Sequence, residues 1–397
     1  MTSSFQRLTA YVATLPIFSA HEHHQPDDYF RDFSLDRILT GSYVNWINPW
    51  DGQIPDREVL LDRVRHNAYF VWLQRGLQRI YGIDKLTAAN WDAVSKIIQD
   101  AHASPTWHLE IFRNYGNYRR AIQDSYWNSG DDLGHPEFFS PTLRINCFVV
   151  CHHPEMRDHN GASWAQFNVP ALDFDEYLEF IEETVRTRKA AGAVALKSAL
   201  AYDRDIAFRP RERAEAARVF GKHPTEVSPE DQRAYQDFVY DYLCTLAAKY
   251  ELPFQNHTGL ALIGGSNPLN LEPMIARHPH TRFILFHGGY PWVGEIAGLA
   301  HNYRNVYPDL TWLPIISPTA AVRAVHEWLE TTWSSRYLCW GGDCWCAEES
   351  VGASLAFKHV LATALAQKVD EGYFDMDDAE CVARRLCYEN GEYVYGI

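Results

Sequence analysis

Residues 174–200 read FDEYLEFIEETVRTRKAAGAVALKSAL, and the change of period inside them sets the fold class. Through Ala191 the apolar residues keep helical spacing, with Asp173 available as N-cap and Asp175 and Glu176 in the first turn. After Gly192, the run AVALKSAL (193–200) reads as a strand. The same alternation extends in both directions. Upstream, LRINCFVV (143–150) reads as a strand. Downstream, Ser228 caps a helix over 229–250 that has Pro229 at its first position. Short strands are expected at 253–257 (PFQNH), 282–287 (RFILFH), 306–310 and 337–341, and helices at about 270–278, 291–303, 318–333 and 350–367. Such alternation implies right-handed crossovers and a parallel sheet. Adding 17–21 and 119–124 brings the strands to the eight that close a (β/α)8 TIM barrel, rather than an open doubly wound sheet. Between the first two strands, 57–81 and 87–103 show helical spacing. The reading is one α/β domain, 1–397, with a large helical insertion after the first strand, at about 26–118, as a lid over the strand ends. A further helix at 377–388 is placed to cover the barrel bottom or flank.

The formal charge is −15. A field of that sign repels phosphate backbones, which excludes nucleic acid as a partner but leaves room for a small anion beside a metal or an arginine. No stretch approaches a membrane span, and residues 1–16 carry only Arg7 and no long apolar core, so they are not a signal peptide. Eight scattered cysteines are too few for a disulfide scaffold, so reduced thiols in a cytoplasmic protein are expected. Cys344 and Cys346 have no second pair at zinc-site spacing and read as structural thiols. Self-association stays open.

The chemistry sits at the strand ends. His21-Glu22-His23 follows the apolar run 15–18, and residues i and i+2 of a strand share a face, so two imidazoles can meet one metal. Alone, such a pair is as easily a surface turn. Its company is what counts: Lys197 lies in the next strand quoted, His257 closes PFQNH, His287 closes RFILFH, and Asp343 follows RYLCWGG. In a barrel these ends converge on one mouth.

That order resembles the amidohydrolase superfamily, and most closely its amidohydrolase-2 branch, which includes the domain fused to glutamine-synthetase-like domains and aromatic-acid decarboxylases. The strings PIFSAHEHH, LKSALAYDR, PFQNHTGL, FILFHGGYPW and WGGDCW carry the resemblance. It implies that His21, His23 and Asp343 hold a first divalent metal, His257 and His287 a second, and Lys197, as its carbamate, a bridge between them. Zinc suits these ligand types. Asp343 would also carry the proton of an attacking, metal-activated water, with the metal polarising the scissile carbonyl. The strand-four lysine favours two metals. In the one-metal alternative His257 completes the first site, His287 becomes an acid/base, and Lys197 stays a plain cation. Arg204 either clamps a substrate carboxylate or pairs with Asp203 or Asp205; Tyr202, Trp292, Trp345 and Trp127 fall where they can line a pocket. The expected function is hydrolysis of an amide, lactone or ester bond of a small polar substrate. The alternative is decarboxylation, or isomerisation of a uronate, on the same platform; a non-catalytic scaffold is a third class.

Overall fold

The computed structural model describes residues 3–47, 53–54, 56–170 and 173–397. Its strands are β1 (Ile17–Glu22), β2 (Tyr118–Gln123), β3 (Phe139–Arg144), β4 (Ala195–Ser198), β5 (Phe254–Asn256), β6 (Phe283–Leu285) and β7 (Val306–Pro308). They lie side by side in sequence order and every pair is parallel. All except β2 are buried along their whole length, as a parallel sheet covered by helices requires. The register sets Arg144 opposite Lys197, and Lys197 opposite Gln255.

Two expected strands differ. The third was placed at 143–150, but β3 ends at Arg144 and Asn146–Val150 is a short helix. Every residue of that helix is buried, and the short apolar run that follows Asn146 shows no period from which strand and helix can be told apart. The eighth, at 337–341, is not a regular strand; a single parallel bridge joins Asp309 to Cys339. The segment still bonds on both sides. Leu310 N–H donates to the Cys339 carbonyl, Trp312 N–H to Gly341, Ala20 N–H to Trp340 and Asp343 N–H to His21.

The helices follow their caps. Phe174–Ala190 opens with a capping box of Asp173 and Glu176, and in Pro229–Lys249 the Ser228 hydroxyl accepts from Asp231 N–H. The stretch expected as one helix over 57–81 is two, Arg57–Val64 and Ala68–Tyr81, the second capped by Asn67. Residues 48–52 and 55 of the 26–118 stretch lie outside the described residues. Ala68–Tyr81 packs on Ala347–Asp370 at very close range: a Cβ on Gly352 would stand 2.5 Å from the Trp72 carbonyl, so only glycine fits. At the C-terminus, Val394 and Tyr395 pack into the sheet interior with Phe18, Ile122 and Ile284, and Tyr395 accepts from Gln255 Nε2. No helix among the described residues is long and apolar enough to cross a membrane.

Candidate metal centre

His21 and His23 project from the end of β1 onto one face, with ring centroids 4.8 Å apart. Each Nε2 lies 3.4 Å from Asp343 Oδ1. Asp343 comes from the turn after the 338–341 segment and holds a left-handed backbone, φ +64°, unusual for a residue with a side chain. Glu22, between the two histidines, fixes that turn. Its buried carboxylate accepts from Gly342 N–H (3.2 Å) and Cys344 N–H (3.0 Å), which flank Asp343, and from the hydroxyls of Ser19 (2.7 Å) and Ser350 (3.1 Å). A Cβ at Gly342 would collide with this carboxylate, which explains the glycine before Asp343. Burial pushes Glu22 up to about 7.

Asp124, just past β2, completes a cluster with His21 and His23 whose ligand atoms lie within 4.8 Å of one another. Its Oδ2 is 3.7 Å from His21 Nε2 and 2.6 Å from Arg144 Nη1. His21 is fully buried, yet neither ring nitrogen has a hydrogen-bond partner. A buried imidazole left this way is costly unless something else takes its lone pair, and burial holds it well below its ordinary pKa, in the neutral form a metal needs. The donor set of two imidazoles and two carboxylates therefore fits a divalent metal.

Lys197 is buried at the end of β4, with Nζ 4.1 Å from the Phe286 ring centroid. Burial lowers it to about 8, although the charges of Asp124 and Asp343 act in the opposite direction. His257 and His287 meet directly, Nδ1 to Nε2 at 2.8 Å, while His287 Nδ1 bonds the Thr311 carbonyl and His257 Nε2 that of Leu260. Burial drives His287 down to about 4. His287 also has a left-handed backbone, φ +65°. Asp343 stays well below the usual carboxylate range: burial acts upward, but the His23 hydrogen bond and the surrounding imidazoles outweigh it.

His23, Lys197, His257 and Asp343 line a cavity of about 150 Å³, whose walls also include Arg144, Tyr202, Trp345, His159 and Tyr43. All six strand-end residues singled out from the sequence thus gather at one end of the sheet, and Tyr202 and Trp345 line it as expected. Arg204 does not: its guanidinium lies 2.8 Å from Asp237 and donates to Gln236, away from the cavity. The loop after β4 turns it outward, and the arginine on the cavity wall is Arg144. Trp292 precedes the helix Val293–Asn302 outside the wall, and Trp127 is exposed. Cys344 and Cys346 are buried thiols, Cys344 Sγ donating to the Gly342 carbonyl.

Sequence reasoning missed four groups. Asp124 and Arg144 close β2 and β3, so the strand-end rule could have found them. Tyr43, whose hydroxyl donates to Asp343 Oδ2 at 2.5 Å, and His159, whose Nδ1 meets Asp203 Oδ2 at 2.8 Å, sit on loops that no pattern marks.

The amidohydrolase family model matches residues 154–397, and the chain belongs to that family. Protein fluG of Emericella nidulans is 29% identical over 222 residues, 51% of this chain and 26% of that protein. Uronate isomerase of Bacillus subtilis is 22% identical over 286 residues, 62% of this chain and 58% of that protein. The chain thus spans well under two thirds of either relative. Among solved structures, glucuronate isomerase from Caulobacter crescentus superposes with a TM-score of 0.78 at 19% identity, covering 99% of this chain and 94% of that one. The family is metal-dependent, and the protein is an enzyme.

Proposed function

We propose that the protein is a metal-dependent hydrolase that cleaves an amide, lactone or ester bond of a small polar substrate in the 150 Å³ cavity. The observation that carries this reading is Lys197: a buried amine at a strand end, on the cavity wall with His23, His257 and Asp343. A neutral amine there takes up CO₂ to give a carbamate, a carboxylate able to bridge two cations. We assign His21, His23, Asp343 and Asp124 to one metal, and His257, His287 and carbamylated Lys197 to a second, with zinc as the ion. The metals supply Lewis-acid polarisation of the scissile carbonyl and activation of water. Asp343, anionic and steadied by Tyr43, accepts the proton of the attacking water and passes it to the leaving group. Arg144 binds an anionic group of the substrate, Tyr202 and Trp345 pack against its body, and His159 accepts a hydrogen bond from it. The segment 338–344 is read as the eighth stave of a closed barrel, and 26–118 as a lid within one cytoplasmic domain.

A second reading, isomerisation of a uronate, is favoured by Arg144 beside an unmodified cationic Lys197, and by the uronate isomerase relatives. The test is metal content per chain together with electron density at Lys197, followed by assays on D-glucono-lactone, small N-acyl amides and D-glucuronate. About two metals, a carbamate and hydrolysis support the hydrolase. One metal, an unmodified lysine and turnover of D-glucuronate overturn it in favour of the isomerase.

A further inference from the structure

A second cavity, of about 510 Å³, lies on the flank of the fold between the helices Ser3–Thr14, Ala68–Tyr81 and Ala347–Asp370. It shares no wall residue with the metal centre. Its basic groups are Arg75, Arg79, Lys358 and His359, and no aspartate or glutamate lines it. In a chain of net charge −15, four cationic or protonatable groups around one hollow without a carboxylate are unexpected.

The groups are also left unneutralised. Among the described residues neither Arg75 nor Arg79 makes a hydrogen bond or an ion pair; Arg75 only stacks over Trp72, its guanidinium carbon 4.1 Å from the ring centroid. Lys358 is half-buried and its Nζ reaches only the Leu15 carbonyl, at 2.9 Å. The charges oppose one another. Burial lowers Lys358 and the charge of Arg79 adds to it; burial lowers His359 and the charge of Arg75 adds to it. Mutual repulsion of this kind raises the free energy of the empty site, and an anion held between the groups relieves it. The remaining wall supplies Gln78, Asn114 and Asn117 as hydrogen-bonding groups and Ala13 and Leu355 as apolar contacts. The volume lies in the range of small-molecule sites.

We propose that this flank cavity is a binding site for a small phosphorylated molecule, with the phosphate gripped by Arg75, Arg79 and Lys358 and the body of the ligand against Leu355 and the Trp72–Arg75 stack. Arginine forks match phosphate oxygens in pairs, and the lysine adds a point charge.

Adenosine monophosphate, ribose 5-phosphate and inorganic phosphate are titrated calorimetrically into the metal-loaded full chain, with adenosine as the uncharged control. At least one phosphate is expected to bind saturably at one site, weaker by at least about tenfold in R75E/R79E and weaker at physiological than at low salt. The milder pair R75Q/R79Q is expected to show the same loss in part, and both keep wild-type melting and turnover, because the side chains are exposed and distant from the metal centre. Adenosine is expected not to bind. Absence of saturable binding by all three phosphates overturns the proposal. So does binding that both variants retain, which would place the ligand elsewhere. An acidic peptide that binds where the phosphates do not also overturns it, and makes the hollow a protein-docking surface.

Discussion

Two buried clusters of histidine and carboxylate lie within a few residues of each other in this molecule, and the first of them borders a cavity. In the metal centre, His21 keeps neither ring nitrogen bonded, and its neighbours border a cavity. In the second cluster, beside the helices that follow β1, each ring has one bonded nitrogen, while His24 Nδ1, His102 Nδ1 and His108 Nε2 keep no hydrogen-bond partner. His24 Nε2 meets His108 Nδ1 at 2.7 Å, His102 Nε2 meets Glu348 Oε1 at 2.7 Å, and Tyr81 donates to the same oxygen. Phe30 stacks against His24, His102 and His108. Residue types and burial match, and both keep unbonded ring nitrogens; what differs is the surroundings, a cavity beside the first cluster and the Phe30 ring packed on the second. Unbonded nitrogens beside open space mark a candidate binding place, whereas histidines closed over by a packed ring have no room beside them for a ligand.

The widest separation between the clusters should come from Asp343→Asn. With the proton carrier and ligand charge gone, turnover is expected to fall by at least about a thousandfold. Glu22→Gln comes next. It removes no ligand but loosens the hydrogen bonds that hold Asp343 in its left-handed backbone, and about a 10- to 100-fold loss in metal affinity or kcat is expected, read by metal titration beside steady-state kinetics. A result at wild-type level would free Glu22 from any role in positioning. In the second cluster His102→Ala should act on stability alone. It leaves the Glu348 carboxylate buried with Tyr81 as its remaining side-chain partner, and about 3 kcal/mol is expected in urea unfolding at unchanged kcat. A drop in kcat without loss of stability would join the clusters into one functional unit.

The smallest effect is one of pH. Burial lowers His108 from 6.5 to about 4. Below 6.5 the unfolded chain binds a proton that the native ring refuses, so stability falls as pH falls from 6.5 towards 4, by at most about 1.4 kcal/mol per pH unit for this one group. His108→Gln should flatten the profile in that window and leave it unchanged above. Unfolding midpoints measured stepwise through the window check both arms.

Much of this was legible in the sequence, for reasons that differ by region. From residue 174 onward the caps at Asp173 and Ser228 and the change from helical to strand period marked the elements to within a few residues. The strand-end positions of His21, His23, Lys197, His257, His287 and Asp343 then followed from topology, because parallel strands point their ends one way. The apolar run 147–150 hid a helix, and the segment at 337–341, read as a strand, pairs through a single bridge. Arg204 failed as a pocket residue because the direction of a loop side chain depends on tertiary contacts, here with Asp237. The second histidine cluster was illegible for the same reason: nothing in the spacing of 24, 102 and 108 says that Phe30 and Glu348 will lie against them.

The central claim is that the unpartnered donors around His21 are a metal site. Crystals grown with zinc and measured at its absorption edge test this most directly. The expected result is an anomalous peak ringed by His21, His23 and Asp343, and none among His24, His102 and His108. A map with no peak at the first cluster, or with a peak at the second instead, would contradict the account.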